Sequence, residues 1–183
     1  MDMFVKAIIL GFAFIASGTA LAADRYLLNA GDVLEISVWN EESLQKEVIV
    51  LPDGVITFPL AGEVLAQGRT VADVQASLKK QLSVYLADPV VTVSVLSVDG
   101  NTVHVLGKVI TPGQFIMIQP IDAIQALSLA GGLSPYAEEN NIIVVRRNGD
   151  KRQVIHVRYG SIKKGKDLAT NIMLKSGDVI LIP

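Results

Sequence analysis

Apolar and polar residues alternate in several short stretches, which predicts a chain built mainly of β-strands. Residues 33–38 follow this period of two, and so do residues 91–95 and 102–110. Because successive side chains of a strand point to opposite faces of a sheet, each stretch predicts a strand with one buried face. A Gly-Asp phrase precedes the first stretch and returns before the last apolar run, residues 179–182. It predicts a turn that leads into a strand at both places.

Two segments have the helical period instead. Residues 71–85 place apolar side chains at spacings of three and four, and Thr70 supplies an N-cap with Asp73 in the first turn. A negative charge there interacts favourably with the positive end of the helix dipole. Residues 121–127 predict a shorter helix, which a pair of glycines ends.

Turn residues between the apolar stretches predict three hairpins. They join residues 46–51 to 55–60, residues 102–110 to 114–118 and residues 142–147 to 151–159. The first turn is Pro-Asp-Gly and the last is Asn148-Gly149, the dipeptide that best suits a two-residue hairpin. Strands mixed with two short helices in this order predict an α+β fold.

The chain divides into two halves that differ in charge. Asp99-Gly100-Asn101 separates two alternating runs and predicts a boundary there, with domains at residues 23–99 and 100–183. With 50% apolar and 19% charged residues, the chain is too hydrophobic to be disordered. Residues 24–98 carry ten acidic and five basic residues, whereas residues 99–183 carry seven acidic and ten basic ones. This asymmetry either aligns neighbouring subunits, favours an anionic partner or is scattered solvated charge.

The N-terminus predicts export from the cytoplasm. Lys6 precedes an apolar run at residues 7–16, and Ala20-Leu21-Ala22 fits a cleavage site before Ala23, so residues 1–22 read as a signal peptide. The alternative is a retained membrane anchor, although the run is shorter than the roughly 20 residues that span a bilayer. The chain has no cysteine, which excludes disulfides, thiolate metal sites and a lipidated N-terminal Cys. We expect an exported, periplasmic protein.

The residue pattern predicts no catalytic, cofactor or metal site. His104 and His156 are the two histidines, and each lies within a predicted strand where packing or edge exposure explains it. Glu41-Glu42 and Glu138-Glu139 are neighbours in sequence, whereas glycoside hydrolysis needs two carboxyl groups that face each other across a substrate. We therefore expect a protein that is not an enzyme. A glycan-cleaving enzyme with carboxylates from distant positions is the remaining alternative.

Basic residues of the second half form the candidate contact surface for a glycan or a protein partner. The candidates are Arg146, Arg147, Lys151 and Arg152, with Tyr136 in a loop beside them. Guanidinium groups can pair bidentately with the carboxylates of a sugar. The signal peptide and the acidic total disfavour nucleic acid. Trp39 is expected to be buried where the domains meet, with stacking on a sugar ring as the alternative.

Several linked motifs resemble one bacterial family. In the first half they contain Gly31, Asp32, Trp39, Pro52, Asp53, Gly54, Pro59 and Gly62, and in the second half Gly107, Pro112, Gly113, Gly131, Gly132, Gly177 and Asp178. The first set resembles the polysaccharide biosynthesis and export domain of outer-membrane exopolysaccharide and capsule export systems. The second resembles the sugar-binding-like β-grasp module, SLBB, that follows it. The resemblance covers nearly the whole chain after residue 22.

This resemblance implies a ring-forming, homo-oligomeric component of a polysaccharide export conduit. The first domain would assemble the periplasmic ring, and the second would contact partners or glycan. Many family members have a lipidated Cys and a C-terminal membrane helix, and this chain shows neither. The expectation is a periplasmic protein, associated with the outer membrane, that needs an inner-membrane polysaccharide co-polymerase and a separate outer-membrane protein. The alternative is a soluble glycan-binding or regulatory module of the same system.

Overall fold

The described part of the protein contains two hydrophobic cores, one in each half of the chain. The computed structural model describes residues 25–183, so the predicted signal peptide at residues 1–22 lies outside them. One core joins buried side chains between Leu28 and Val93, and the other joins those between Val103 and Ile182. Strands and a few helices contribute to both. The α+β class is confirmed, while the domain limits at residues 99 and 100 stay a prediction.

The first half folds as a three-stranded antiparallel sheet, a helix and a separate hairpin. Its elements are β1 (Val33–Val38), β2 (Glu41–Ile49), β3 (Val55–Phe58), β4 (Gly62–Leu65), α1 (Val71–Leu82) and β5 (Val91–Ser97). The strand order β2-β1-β5 places β1 in the centre, and β3 pairs with β4. Every second residue of β1 is buried, and the apolar face of α1 completes this core. The period of two therefore produces one covered and one open side of the sheet.

The predicted hairpin between residues 46–51 and 55–60 is wrong. Its turn does form, because Gly54 adopts a φ of 85° and donates its N–H to the Leu51 carbonyl at 2.8 Å. The strands on the two sides nevertheless enter different sheets: β2 pairs with β1, and β3 pairs with β4. Two residues, Trp39 and Asn40, join β1 to β2 directly, with Asn40 at a φ of 62°. A connection this short favours antiparallel pairing of the strands it joins.

Helix α1 begins where the sequence predicts and ends earlier. Thr70 Oγ1 accepts a hydrogen bond from the Asp73 N–H at 3.2 Å, and Asp73 Oδ2 accepts one from the Thr70 N–H at 3.1 Å. These two bonds form a capping box and confirm the predicted N-cap. The helix ends at Leu82. Tyr85, which the periodicity places on the apolar face, therefore lies beyond the helix and is exposed.

The second half is a five-stranded sheet packed against a helix, as in a β-grasp fold. Its elements are β6 (Thr102–Gly107), β7 (Gly113–Ile116), α2 (Ala123–Leu129), β8 (Ile142–Asn148), β9 (Lys151–Val157), α3 (Tyr159–Ile162) and β10 (Val179–Ile182). The strand order is β7-β6-β10-β8-β9, with β10 parallel to β6 and antiparallel to β8. Both hairpins predicted for this half are confirmed. The last strand in sequence thus occupies the centre of the sheet.

The two Gly-Asp phrases build the same turn in different sheets. In the first, the Asp32 N–H donates to the Asn29 carbonyl at 3.1 Å, and the Asn29 N–H donates to the Asp32 carboxylate at 2.8 Å. In the second, Asp178 and Lys175 make the same two bonds, at 3.1 and 2.9 Å. The glycines have φ values of 98° and 82°, which glycine adopts at little cost. Both turns are confirmed, and both aspartates are fully buried.

The linker between the halves is hydrogen-bonded to both of these turns. The Gly100 N–H donates to Asp32 Oδ1 at 3.1 Å, and the Gly100 carbonyl accepts from Ser176 Oγ at 2.9 Å. A Cβ atom on Gly100 would lie 2.2 Å from the carbonyl oxygen of Ala30. This close backbone approach requires glycine at the linker. The predicted boundary is therefore a short connection with fixed hydrogen-bond partners in each half.

Candidate functional site

Arg146, one of the predicted contact residues, is part of a buried ion pair. Its Nε lies 2.9 Å from Asp178 Oδ1, and its Nη2 lies 2.7 Å from Asp178 Oδ2. Nη2 also donates to the Met173 carbonyl at 2.9 Å. The two side chains are 13% and 1% exposed, and the hydrogen bonds to Asp178 raise the pKa of Arg146 above its ordinary value. This bidentate pair ties β8 to the second Gly-Asp turn.

Arg147 and Arg152 lie together on the other side of the same sheet. They are directly opposite each other in the antiparallel ladder of β8 and β9, and both are exposed. Lys151 is directly opposite Asn148 and precedes Arg152 by one residue. Because side chains alternate along a strand, it belongs to the opposite side of the sheet from Arg152. Tyr136 lies in the loop before β8 and is 82% exposed. Of the five predicted contact residues, the fold therefore brings Arg147 and Arg152 together.

The two arginines border an apolar surface on the open side of this sheet. We define the basic face by six residues: Val145, Arg147, Arg152, Val154, Val179 and Leu181. An open groove of about 820 Å³ runs over it, and His104 also lines this groove. The opposite side of the same strands contributes buried residues to the second core. The basic face combines two cations with aliphatic side chains and can receive a partner that is both anionic and apolar.

A second pair of like charges lies on the open side of the first sheet. Glu35 of β1 is directly opposite Glu47 of β2, and Val33 is directly opposite Ile49 in the same ladder. We define these four residues as the acidic face. Gln45 Nε2 donates to Glu35 Oε1 at 3.2 Å, so the Glu35 carboxylate accepts from a neutral side chain. This face was not among the predicted contact surfaces, although the excess of acidic residues in the first half was a signal for it.

The expected burial of Trp39 is wrong. Its side chain is 74% exposed, while its backbone N–H donates to the Val90 carbonyl at 2.9 Å. Trp39 occupies the two-residue turn between β1 and β2, where a side chain projects beyond the covered face of the sheet. The turn therefore prevents burial that the residue type alone favours. Stacking of the indole on a sugar stays a prediction.

Two other basic residues of the second half, Arg158 and Lys163, form ion pairs away from the basic face. Lys163 Nζ lies 2.6 Å from Glu139 Oε1, and Arg158 Nη1 lies 3.4 Å from Asp167 Oδ2. These ion pairs are exposed and contribute little to stability. They neutralise part of the excess positive charge of residues 99–183. Within residues 25–183, by contrast, the two arginines of the basic face form no ion pair.

His104 and His156 lie on the open side of the second sheet, in β6 and β9. Within residues 25–183, no three His, Asp or Glu side chains converge into a group that could hold a metal ion. None of the helices described is long and apolar enough to cross a bilayer.

Tyr26 adds a pH-dependent contact to the first Gly-Asp turn. Its hydroxyl donates to Asp32 Oδ2 at 2.6 Å. Burial and this hydrogen bond raise the pKa of Tyr26 above its ordinary value of 10.0. Because the pKa of Tyr26 is higher in the folded state than in the unfolded state, its full contribution to stability is present below the unfolded-state pKa. This contribution is lost as the pH rises from the unfolded-state pKa toward the folded-state pKa.

We expect wild-type protein to lose stability more steeply than a Tyr26→Phe variant between about pH 9 and about pH 11. The phenylalanine variant lacks the ionisable hydroxyl, so its unfolding midpoint in urea should change less over this range. Tyr85→Phe, which alters an exposed tyrosine, is the matched control and should behave like wild type. Equal slopes for wild type and Tyr26→Phe would contradict the assignment.

Comparison with known protein families gives two adjacent matches. The family described as polysaccharide biosynthesis/export protein matches residues 20–96. The family described as SLBB domain matches residues 101–182. The first match contains the acidic face and the second contains the basic face. Residues 97–100, between the two matches, include the hydrogen-bonded linker glycine.

Individual relatives carry names from polysaccharide export. The EPS I polysaccharide export outer membrane protein EpsA of Ralstonia nicotianae is 29% identical over 184 residues, which covers 87% of this chain and 48% of that protein. The polysialic acid transport protein KpsD of Escherichia coli is 28% identical over 142 residues, 77% of this chain and 25% of its own length. The capsule polysaccharide export outer membrane protein CtrA of Neisseria meningitidis is 24% identical over 177 residues, 84% and 43% respectively. The chain thus spans about half the length of these relatives or less.

Proposed function

Because the chain belongs to the polysaccharide biosynthesis/export family, with an export domain followed by one SLBB domain, we propose that it is a periplasmic component of a polysaccharide export conduit. In this proposal it forms a homo-oligomeric ring that passes exopolysaccharide or capsule polymer toward the outer membrane. Its proposed partners are the polymer, an inner-membrane polysaccharide co-polymerase and a separate outer-membrane protein. The domain signatures and the names of the relatives indicate an export protein and not an enzyme.

The observation that carries the proposal is the ordered pair of family matches over residues 20–96 and 101–182. The described part of each matched region has its own hydrophobic core. The fold alone would not identify this function, since similar folds support many functions. Export is instead supported by the names of relatives that align with 77–87% of this chain.

Deletion of the gene tests the proposal in the source bacterium. We expect surface polysaccharide to disappear while polymer or its precursors persist inside the cell envelope, since synthesis continues without a path outward. The measurement is immunoblotting or sugar analysis of the extracellular, periplasmic and cytoplasmic fractions. A plasmid copy of the wild-type gene should restore surface polymer. Unchanged surface polysaccharide in the deletion strain would contradict the proposed function.

A second candidate function is favoured by the groove over the basic face. Arg147 and Arg152 could pair with sugar carboxylates, while Val145, Val179 and Leu181 contact the apolar faces of sugar rings. The protein would then be a soluble glycan-binding module of the same system. Titration calorimetry with an acidic oligosaccharide and a neutral one of equal length tests this function. Selective binding of the acidic oligosaccharide by a protein that stays monomeric at high concentration would favour the module over the conduit.

A further inference from the structure

We propose that the acidic face of one copy docks on the basic face of the next copy, so that the export domain of each subunit binds the SLBB domain of its neighbour. This inference rests on the proposed homo-oligomer and deepens it by naming the two surfaces in contact. The acidic face comprises Val33, Glu35, Glu47 and Ile49, and the basic face comprises Val145, Arg147, Arg152, Val154, Val179 and Leu181.

Each face contains a pair of like charges that forms no ion pair within residues 25–183. Glu35 is directly opposite Glu47, and Arg147 is directly opposite Arg152. Like charges directly opposite each other destabilise an antiparallel ladder. Among the ion pairs formed within residues 25–183, none includes any of these four residues. Contact between the two faces would supply each pair with the charge that it lacks.

The two faces also match in the spacing of their apolar residues. Two residues along the ladder from Glu35 and Glu47 lie Val33 and Ile49. Two residues along from Arg147 and Arg152 lie Val145 and Val154, and a strand rises by about 3.4 Å per residue. Each face therefore presents a charged pair about 7 Å from an apolar pair on the same side of its sheet. Docking superimposes charge on opposite charge and apolar on apolar side chains in the orientation that aligns the charged-to-apolar directions of the two faces; the reversed orientation does not.

A second copy explains both faces, whereas a glycan explains one. An anionic polysaccharide would bind the arginines, but it would leave the two glutamates and the apolar pair beside them without a partner. The halves of the chain have opposite net charges, about −5 for residues 24–98 and about +3 for residues 99–183. Complementary fields of this kind steer association and fix its register.

The geometry of such a contact is compatible with a ring. The two faces belong to different sheets of one chain, and both are open to solvent within the described subunit. Because the surfaces in contact differ, the contact is heterologous, and repetition of a heterologous contact around an axis closes a ring when the rotation permits.

Charge reversal on each face tests the inference with residues 23–183, the chain that follows the predicted signal peptide. The acidic variant carries Arg147→Glu and Arg152→Glu, and the basic variant carries Glu35→Lys and Glu47→Lys. Either variant alone opposes like charges across the contact, so we expect self-association to weaken about tenfold or more at low salt. An equimolar mixture pairs opposite charges at every contact and should assemble again. Sedimentation velocity measures the assemblies, and raising the salt concentration should weaken them in wild type.

A matched control separates the effect of the altered net charge from the effect of the altered basic face. The double variant with Lys151→Glu and Lys164→Glu changes the net charge as much as the acidic variant does. Neither residue belongs to the basic face, so assembly should stay at the wild-type level. The reversed residues of the two faces lie on open sides of the sheets, and Lys151 and Lys164 are exposed. Circular dichroism with thermal unfolding checks that each variant folds.

Three results would overturn the contact: wild-type protein that is monomeric at high concentration, reversed variants that assemble like wild type, or a mixture that fails to assemble. Loss of acidic-oligosaccharide binding by the acidic variant with unchanged assembly would identify a glycan as the occupant instead. The deletion phenotype stays a separate measurement. If the deletion strain stops exporting polymer but the reversed variants assemble normally, the proposed contact between the two faces is wrong. The proposed export function is unaffected by that result.

Discussion

Replacement of Arg146 by alanine should lower the free energy of unfolding of the SLBB domain by about 3–5 kcal/mol. The substitution leaves the Asp178 carboxylate, whose side chain is 1% exposed, without its bidentate partner, and an unpaired buried charge is costly. The Met173 carbonyl also loses a donor. Urea denaturation followed by circular dichroism measures the change as a lower transition midpoint.

The neighbouring arginine is the matched control for this prediction. Arg147→Ala removes an identical side chain from the open side of the same strand, and we expect a change within about 0.5 kcal/mol. Arg146→Lys retains the charge without the planar fork and should have an intermediate effect. Similar stability for Arg146→Ala and Arg147→Ala would show that the buried pair contributes no more than an exposed residue.

Gly100→Ala should destabilise the protein by about 1–3 kcal/mol and open the linker to proteolysis. Its Cβ would lie 2.2 Å from the carbonyl oxygen and 2.9 Å from the carbonyl carbon of Ala30, so the backbone must move. That movement would break the hydrogen bond from the Gly100 N–H to buried Asp32. Thermal unfolding measures the stability, and limited proteolysis with mass spectrometry locates new cleavage at residues 99–101.

Gly113→Ala is the control for the linker substitution. A Cβ at Gly113 meets no atom within 4 Å of those described, so alanine fits there. We expect wild-type stability and no new cleavage site. If Gly100→Ala behaved in the same way, the linker would tolerate displacement of the two turns, and the halves would not depend on this connection for their mutual position.

Local signals in the sequence predicted most of the individual elements. The capping box at Thr70 and Asp73, the hairpin at Asn148-Gly149 and both Gly-Asp turns form as expected. Each depends on contacts between residues close together in the chain, so residue type and spacing suffice to predict it. The lengths of the elements were less accurate, as the early end of α1 at Leu82 shows.

Strand pairing and side-chain environment were harder to predict. The sequence contains the strand that became β2, but its pairing with β1 depended on a two-residue turn without glycine or proline. Trp39 in that turn is exposed although tryptophan favours burial. Such outcomes depend on which strands lie next to each other, and periodicity within one strand carries no information about its neighbours.

By itself, the sequence determined the α+β class, the turns, the helix cap, the family motifs and the difference in charge between the halves. Only the tertiary structure decided which charges act together. Arg146 and Arg147 are adjacent in sequence, yet Arg146 is largely buried against Asp178 whereas Arg147 is exposed opposite Arg152. The physical reason is that side chains alternate across a sheet, and their partners come from strands about 5 to more than 30 residues away. Those strands meet only when the sheet forms.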